Sequence, residues 1–325
     1  FAPARPDRHD WLIALLEGVE DIPGTALAEG LTWDWESFPD YLEALGRRDF
    51  ALDVAAHLAD AALRAYVMGG RGGDHREHPT EAEIAEMARL TEEALAAGAL
   101  GFSTSRTFVH RSRSGENIGT LEAGEAELLG IAAAMRRAGR GVIQLISDAY
   151  LTADDAFADR ELDLIEAMAV TSGRPLSFTV QQTDEAPDRF HHIFARVAQM
   201  VAKGLDVKCQ VAPRPIGVVQ GLEATLNPFL FCPEWRRIGA LPLAEKVAEL
   251  GKPDVRERLL QQHAETPPEG FGALIAHGFS RMFRVSDPVD YEPAADRSVA
   301  AEAAKAGVSP AEYMLDLLRE EEGHR

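Results

Sequence analysis

From residue 80 to residue 210 the chain repeats helix, glycine, strand four times over, and that order leaves few architectures open. Thr80-Glu81-Ala82-Glu83 reads as a capping box, in which the Thr80 hydroxyl accepts from a first-turn amide and Glu83 reaches back. Ile84, Met87, Leu90 and Ala94 follow as an apolar stripe at helical spacing, and Gly98 supplies a left-handed stop. Ala99-Leu100-Gly101-Phe102-Ser103 comes next as a strand. A helix over Glu125 to Arg137, closed by Gly139 and Gly141, precedes the strand Val142-Ile143-Gln144-Leu145-Ile146. Helical spacing of Leu162, Ile165, Met168 and Ala169 ends at Gly173, before Leu176-Ser177-Phe178-Thr179-Val180. Phe190, Ile193, Val197 and Val201 mark the last helix of the series, which stops at Gly204 before Leu205-Asp206-Val207-Lys208-Cys209. Parallel strands require such crossovers, and strands covered on both faces read as near-continuous apolar runs. With an earlier strand expected at Phe50-Ala51-Leu52-Asp53-Val54-Ala55, the fold class is α/β with about five parallel strands. Five cannot close an eight-stranded barrel, so the sheet is either open or an incomplete barrel.

The flanks are less regular. Residues 1 to 49 carry a helix from Trp11 to Glu20 and a tryptophan-rich stretch, Trp33-Asp34-Trp35-Glu36. Residues 212 to 295 are rich in proline and aromatics, with helical patterns only at Glu245 to Leu250 and Val255 to Gln262. A final helix is expected from Ser309-Pro310, with proline in its first turn. The net charge of -20 repels phosphate backbones and acidic lipid, which argues against nucleic acid and membrane as partners. The two cysteines, Cys209 and Cys232, fit a reducing cytoplasm better than a disulfide framework.

In parallel α/β folds, working residues gather beyond the carboxyl ends of the strands. Here those ends are polar: Ser103-Thr104-Ser105-Arg106 with His110 in the loop beyond, then Gln144 with Ser147 and Asp148, then Gln181-Gln182, then Gln210 and Arg214. Glutamines within apolar strands are costly without partners, which favours a pocket. Arg106 and Arg214 suit an anionic substrate, because each guanidinium can hold a carboxylate by two hydrogen bonds. A surface ion pair explains each arginine equally well. His75 and His78 fall in a glycine-rich loop, and the adjacent His191 and His192 face different ways on a helix, so neither pair makes an ion site.

Several runs resemble the N-acyl-D-amino-acid deacylases of the amidohydrolase superfamily. They are Gly18-Val19-Glu20-Asp21-Ile22-Pro23-Gly24, Trp33-Asp34-Trp35-Glu36-Ser37-Phe38, Ala62-Leu63-Arg64 with Val67-Met68-Gly69, Gly98 to Arg106, and Ser286-Asp287-Pro288-Val289-Asp290-Tyr291-Glu292-Pro293. The resemblance implies a TIM-like (β/α) barrel of the amidohydrolase type, incomplete in this chain because its first and last strands lie outside it. On that reading residues 1–325 are the central part of one barrel domain, with an irregular insertion around 212–295. It also implies one or two divalent ions, usually zinc, and hydrolysis of an amide or related carbon–nitrogen bond. The H-x-H pair and cysteine ligand would precede Phe1, and the catalytic aspartate would follow Arg325. Ala62-Leu63-Arg64 should form a strand and loop, and Asp60 stands near where relatives often carry a histidine. No metal ligand is therefore assigned within this chain, and the segment alone is expected to be inactive. Arg106, His110 and Arg214 are expected to hold the carboxylate of an N-acyl amino acid, with Gln144, Asp148, Gln182 and Gln210 ordering substrate and water. A cyclic amidase of the dihydropyrimidinase kind and a catalytically inactive binding barrel remain as alternatives.

Overall fold

A computed structural model describes every residue except 21, 113, 184, 185, 214, 215, 225, 266–270, 324 and 325, and the side chains of 18, 20 and 271. The chain divides into two compact units, residues 1–213 and 214–325. In the first, α1 (His9–Glu20), α2 (Gly24–Gly30) and α3 (Phe38–Gly46) precede the repeating part. That part runs β1 (His57–Ala59), α4 (Asp60–Met68), α5 (Glu81–Ala97), β2 (Gly101–Arg106), α6 (Glu125–Ala138) and β3 (Val142–Ser147). It continues with α7 (Asp155–Ser172), β4 (Leu176–Thr179), α8 (Arg189–Ala202) and β5 (Val207–Gln210). The five strands are all parallel and lie side by side in sequence order. A doubly wound sheet reverses its strand order at a switch point. Here each crossover advances one strand in the same direction.

The punctuation that the sequence suggests is what stops and starts these elements. Thr80 Oγ1 accepts from Glu83 N–H (3.3 Å) while Thr80 N–H donates to Glu83 Oε2 (2.7 Å). Gly98, Gly139 and Gly173 end α5, α6 and α7 in the left-handed region, at φ of 115°, 67° and 59°. One face of the sheet is dry. Leu58, Phe102, Ile143, Leu145, Leu176, Phe178 and Val207 share a single core with Leu63 of α4, Met87 and Leu95 of α5, Leu128 and Ile131 of α6, Leu162 and Ile165 of α7, and Ile193 of α8. The opposite face carries Ser103, Ser105, Gln144, Ile146, Ser177 and Thr179, all half-buried, and the exposed Lys208 and Gln210.

Two expectations are corrected. Phe50 to Ala55 is not a strand: Leu52 is 82% exposed, and the first strand is His57–Ala59, where Leu58 takes the core position. Ala62-Leu63-Arg64 with Val67-Met68 is helical rather than strand and loop, because Asp60, Arg64 and Met68 repeat at one-turn spacing on a buried side of α4.

The second unit is helical. It holds α9 (Pro233–Ile238), α10 (Leu243–Leu250), α11 (Pro253–Glu265), α12 (Phe271–His277), α13 (Val299–Ala306) and α14 (Pro310–Leu317). Leu222, Phe229, Trp235, Leu250, Leu259, Phe279, Val299 and Leu315 form its core. The Ser309 hydroxyl caps α14 by accepting from Glu312 N–H (3.2 Å). Within 212–295, α9 and α12 go beyond the two helices expected there, since they are too short to print a clear periodicity.

Gly101 tests the packing of neighbouring strands. A Cβ there would lie 1.8 Å from the Val142 carbonyl oxygen of β3. Gly101→Ala should lower unfolding free energy by about 1–3 kcal/mol in urea titration. Gly30→Ala, with nothing within 4 Å of the added carbon, should change it by no more than about 0.5 kcal/mol.

Candidate functional site at the carboxyl ends of the strands

Strand alternation sorts the polar tips into two sets. On the face opposite the apolar core, Ser103 of β2, Gln144 of β3, Ser177 of β4 and Lys208 of β5 are in register, and Thr179 lies beside Gln210. Gln144 and Gln210 therefore share a face, as a common cup requires. Ser105 is on that face too, and its hydroxyl meets His110 Nδ1 from the loop that follows β2. Gln182 lies beyond the end of β4, exposed, with Nε2 donating to the Pro187 carbonyl (3.0 Å). Arg214 falls outside the described residues.

The second set points toward the helices. Arg106 Nε and Nη2 donate to the two carboxylate oxygens of Glu161 in α7 (2.9 and 2.7 Å), and Nη1 donates to the Ala123 carbonyl (2.6 Å). Burial opposes the Arg106 charge, and Glu161 more than offsets it, so the guanidinium pKa lies above its ordinary value. Ser147 Oγ completes the group by donating to Glu161 Oε2 (2.8 Å). All three guanidinium nitrogens are thus engaged within the fold, in a brace rather than an open clamp. Asp148 accepts the Phe108 amide on Oδ2 (2.9 Å), while its Oδ1 is buried without a partner. Burial pushes the Asp148 carboxyl up, against the Thr107 and Phe108 hydrogen bonds.

A further cluster lies between β1, β2 and the helices. Thr104 Oγ1 donates to Asp60 Oδ2 (2.6 Å). Arg64, one turn along α4, pairs with Glu127 of α6 and donates to the Glu77 carbonyl (2.7 Å). Asp60, Arg64 and Glu127 are each no more than 1% exposed, and Asp60 Oδ1 and Glu127 Oε1 have no partner. Taking a carboxylate from water without replacing its hydrogen bonds favours the neutral acid. Burial and the neighbouring Glu127 raise Asp60 from 3.8 to about 7, and burial raises Glu127 despite Arg64. Sequence reading passed over Asp60, Arg64, Glu127 and Glu161 as functional residues. Their signal was a charged side chain on the apolar stripe of a helix, as with Glu161 between Ala158 and Leu162. Among the described residues, no group of three or more His, Cys, Asp or Glu side chains could hold a metal ion.

The profile of the amidohydrolase family matches residues 4–320. The chain belongs to that family. A D-aminoacylase of Alcaligenes xylosoxydans xylosoxydans is 38% identical over 92 residues, which is 28% of this chain and 18% of the relative. An uncharacterized protein of Mycobacterium tuberculosis (strain ATCC 25618 / H37Rv) is 38% identical over 94 residues, 27% of this chain and 15% of the relative. Solved structures give fainter likenesses. A D-aminoacylase structure, 22% identical, aligns with a TM-score of 0.45 over 70% of this chain and 45% of that one. An N-acyl-D-glutamate deacylase of Bordetella bronchiseptica, solved with zinc and a phosphonate inhibitor, is 22% identical with a TM-score of 0.44, over 56% of this chain and 35% of that one. This amidohydrolase spans less than half the length of the solved chains it matches.

The two buried clusters make distinct predictions. Arg106→Met leaves Glu161 buried and unpaired and should cost about 3–5 kcal/mol, whereas Arg106→Met with Glu161→Leu should recover most of that loss in a double-mutant cycle. Folded Asp60 binds its proton more tightly than the unfolded chain does, so its contribution is most favourable below about pH 4 and declines as pH rises toward 7. Asp60→Asn should remove that slope. Its urea midpoints at pH 5 and pH 8 should lie closer together than those of the wild type; an unchanged difference would count against a raised Asp60.

Proposed function

We propose that this amidohydrolase is the central part of a barrel that hydrolyses N-acyl-D-amino acids in the cytoplasm, with zinc as its divalent ion. The observation that carries the reading is the singly wound sheet, which carries Ser103, Gln144, Ser177, Thr179 and Gln210 together on the face opposite its apolar core. In a closed (β/α) barrel that face points inward and its carboxyl end bears the active site. Among the described residues no group of three or more His, Cys, Asp or Glu side chains could hold the ion, and the proposal assigns its ligands to none of them. The family's reaction class is hydrolysis of a carbon–nitrogen bond, and the bound ion would supply an activated water.

For the residues present, the proposal assigns binding and orientation. Gln144 and Gln210 would position substrate amide groups and water from the strands, with Gln182 and His110 at the rim. Arg214 would hold the substrate carboxylate. Arg106 would act through Glu161, and Asp148 through the Phe108 amide, in keeping the loop after β2 in place. Residues 214–325 would belong to the same catalytic protein as its helical part. D-aminoacylase similarity in part of the chain favours an acyclic N-acyl amino acid over a cyclic imide or a binding-only barrel. No described helix is long and apolar enough to cross a membrane.

The test is a substrate panel on protein extended by its flanking coding sequence and supplied with zinc. N-acetyl-D-amino acids should be cleaved at least tenfold faster than their L forms and faster than dihydrouracil. Chelation should abolish turnover, and zinc should restore it. The 325-residue chain alone should show no deacylation. Preference for the ring-closed substrate, or no turnover with zinc bound, would overturn the reading.

A further inference from the structure

Ser105 and His110 form a contact to which the amide-hydrolysis reading gives no role beyond His110 at the rim. The Ser105 hydroxyl hydrogen-bonds His110 Nδ1, with both side chains part-buried. The serine is fixed by β2, in register with Ile146 of β3, and its carbonyl accepts from Thr120 Oγ1 (2.6 Å). The histidine is carried by a loop tied down just before it, where Phe108 N–H donates to Asp148 and Val109 N–H donates to Thr107 Oγ1 (3.2 Å). A hydroxyl and an imidazole held together on anchored backbone is the arrangement that activates a nucleophile. Its site, the carboxyl end of a parallel strand on the face opposite the apolar core, is where such folds bring substrate.

We propose that Ser105 and His110 are a nucleophile–base pair that accepts acyl or phosphonyl groups from small activated esters, without a metal ion. Ser105 Oγ bonds to the carbonyl carbon of an aryl ester as its proton passes to His110 Nδ1. The carbon–oxygen bond to the aryl group breaks, and the phenolate leaves with the electron pair. The imidazolium returns its proton to solvent. Water then attacks the acyl-serine and gives a proton to Nδ1, which passes it to the departing Ser105 oxygen. The sum is ester plus water to acid plus phenol. This activity does not depend on the proposed deacylation and persists in chelator, so the two stand or fall separately.

The 325-residue chain is treated with a fluorophosphonate probe in excess EDTA, and the adduct is mapped by peptide mass spectrometry. One phosphonyl group should appear on Ser105 and none on Ser103, which lies on the same strand and face. His110→Ala should slow labelling at least tenfold. Ser105→Ala should abolish both labelling and the burst of p-nitrophenolate from p-nitrophenyl acetate. A second readout covers loss of folding in the alanine variants. Ser105→Cys should react with iodoacetamide at least tenfold faster than the same variant carrying His110→Gln. Burial pushes the native thiols Cys209 and Cys232 up to about 11, which keeps their background low. No adduct at Ser105, or rates that do not respond to His110, would overturn the pair and leave the contact as a loop fastening.

Discussion

A strand has two faces, and in this sheet α4 to α8 pack against one of them. Everything polar at the strand tips must answer to that constraint. Side chains on the other face, such as Ser103 and Gln144, are only half-buried. On the helix-packed face, Thr104, Arg106 and Ser147 each meet a carboxylate from another element: Asp60 for the threonine, Glu161 for the other two. The cost of leaving any of them unpaired in the dry layer is large enough to dictate which helix residues are acidic. Sheet and helices are joined at that end by hydrogen-bonded charge as well as by apolar packing.

The succession of elements was legible because it is written locally. A capping box and left-handed glycines act within a few residues, so Thr80, Gly98, Gly139 and Gly173 marked real boundaries. β1 was misplaced because a three-residue strand buries one side chain, Leu58, and prints no alternation, whereas Phe50 to Ala55 looks apolar and stays largely exposed. The site was less legible for the same reason turned around. Arg106 finds its partner 55 residues away, and nothing near it in sequence distinguishes a braced arginine from a substrate clamp. Ser105 and His110, five residues apart across a loop, lie on no regular spacing that would join them.

The buried acids also separate two roles that composition mixes. Many of the 53 acidic residues lie at the surface, where pairs such as Arg89 with Glu86 and Glu93 are exposed on both sides. Asp60, Glu127 and Glu161 differ in being enclosed, and for Asp60 and Glu127 burial raises the carboxyl.

β1 pairs with β2 over only three residues, whereas β2 and β3 pair over six. Leu58 is the single side chain by which β1 enters the core. That strand is therefore held to the sheet as much by one apolar contact layer as by its backbone ladder, and an opening of the sheet begins most easily where so little is buried.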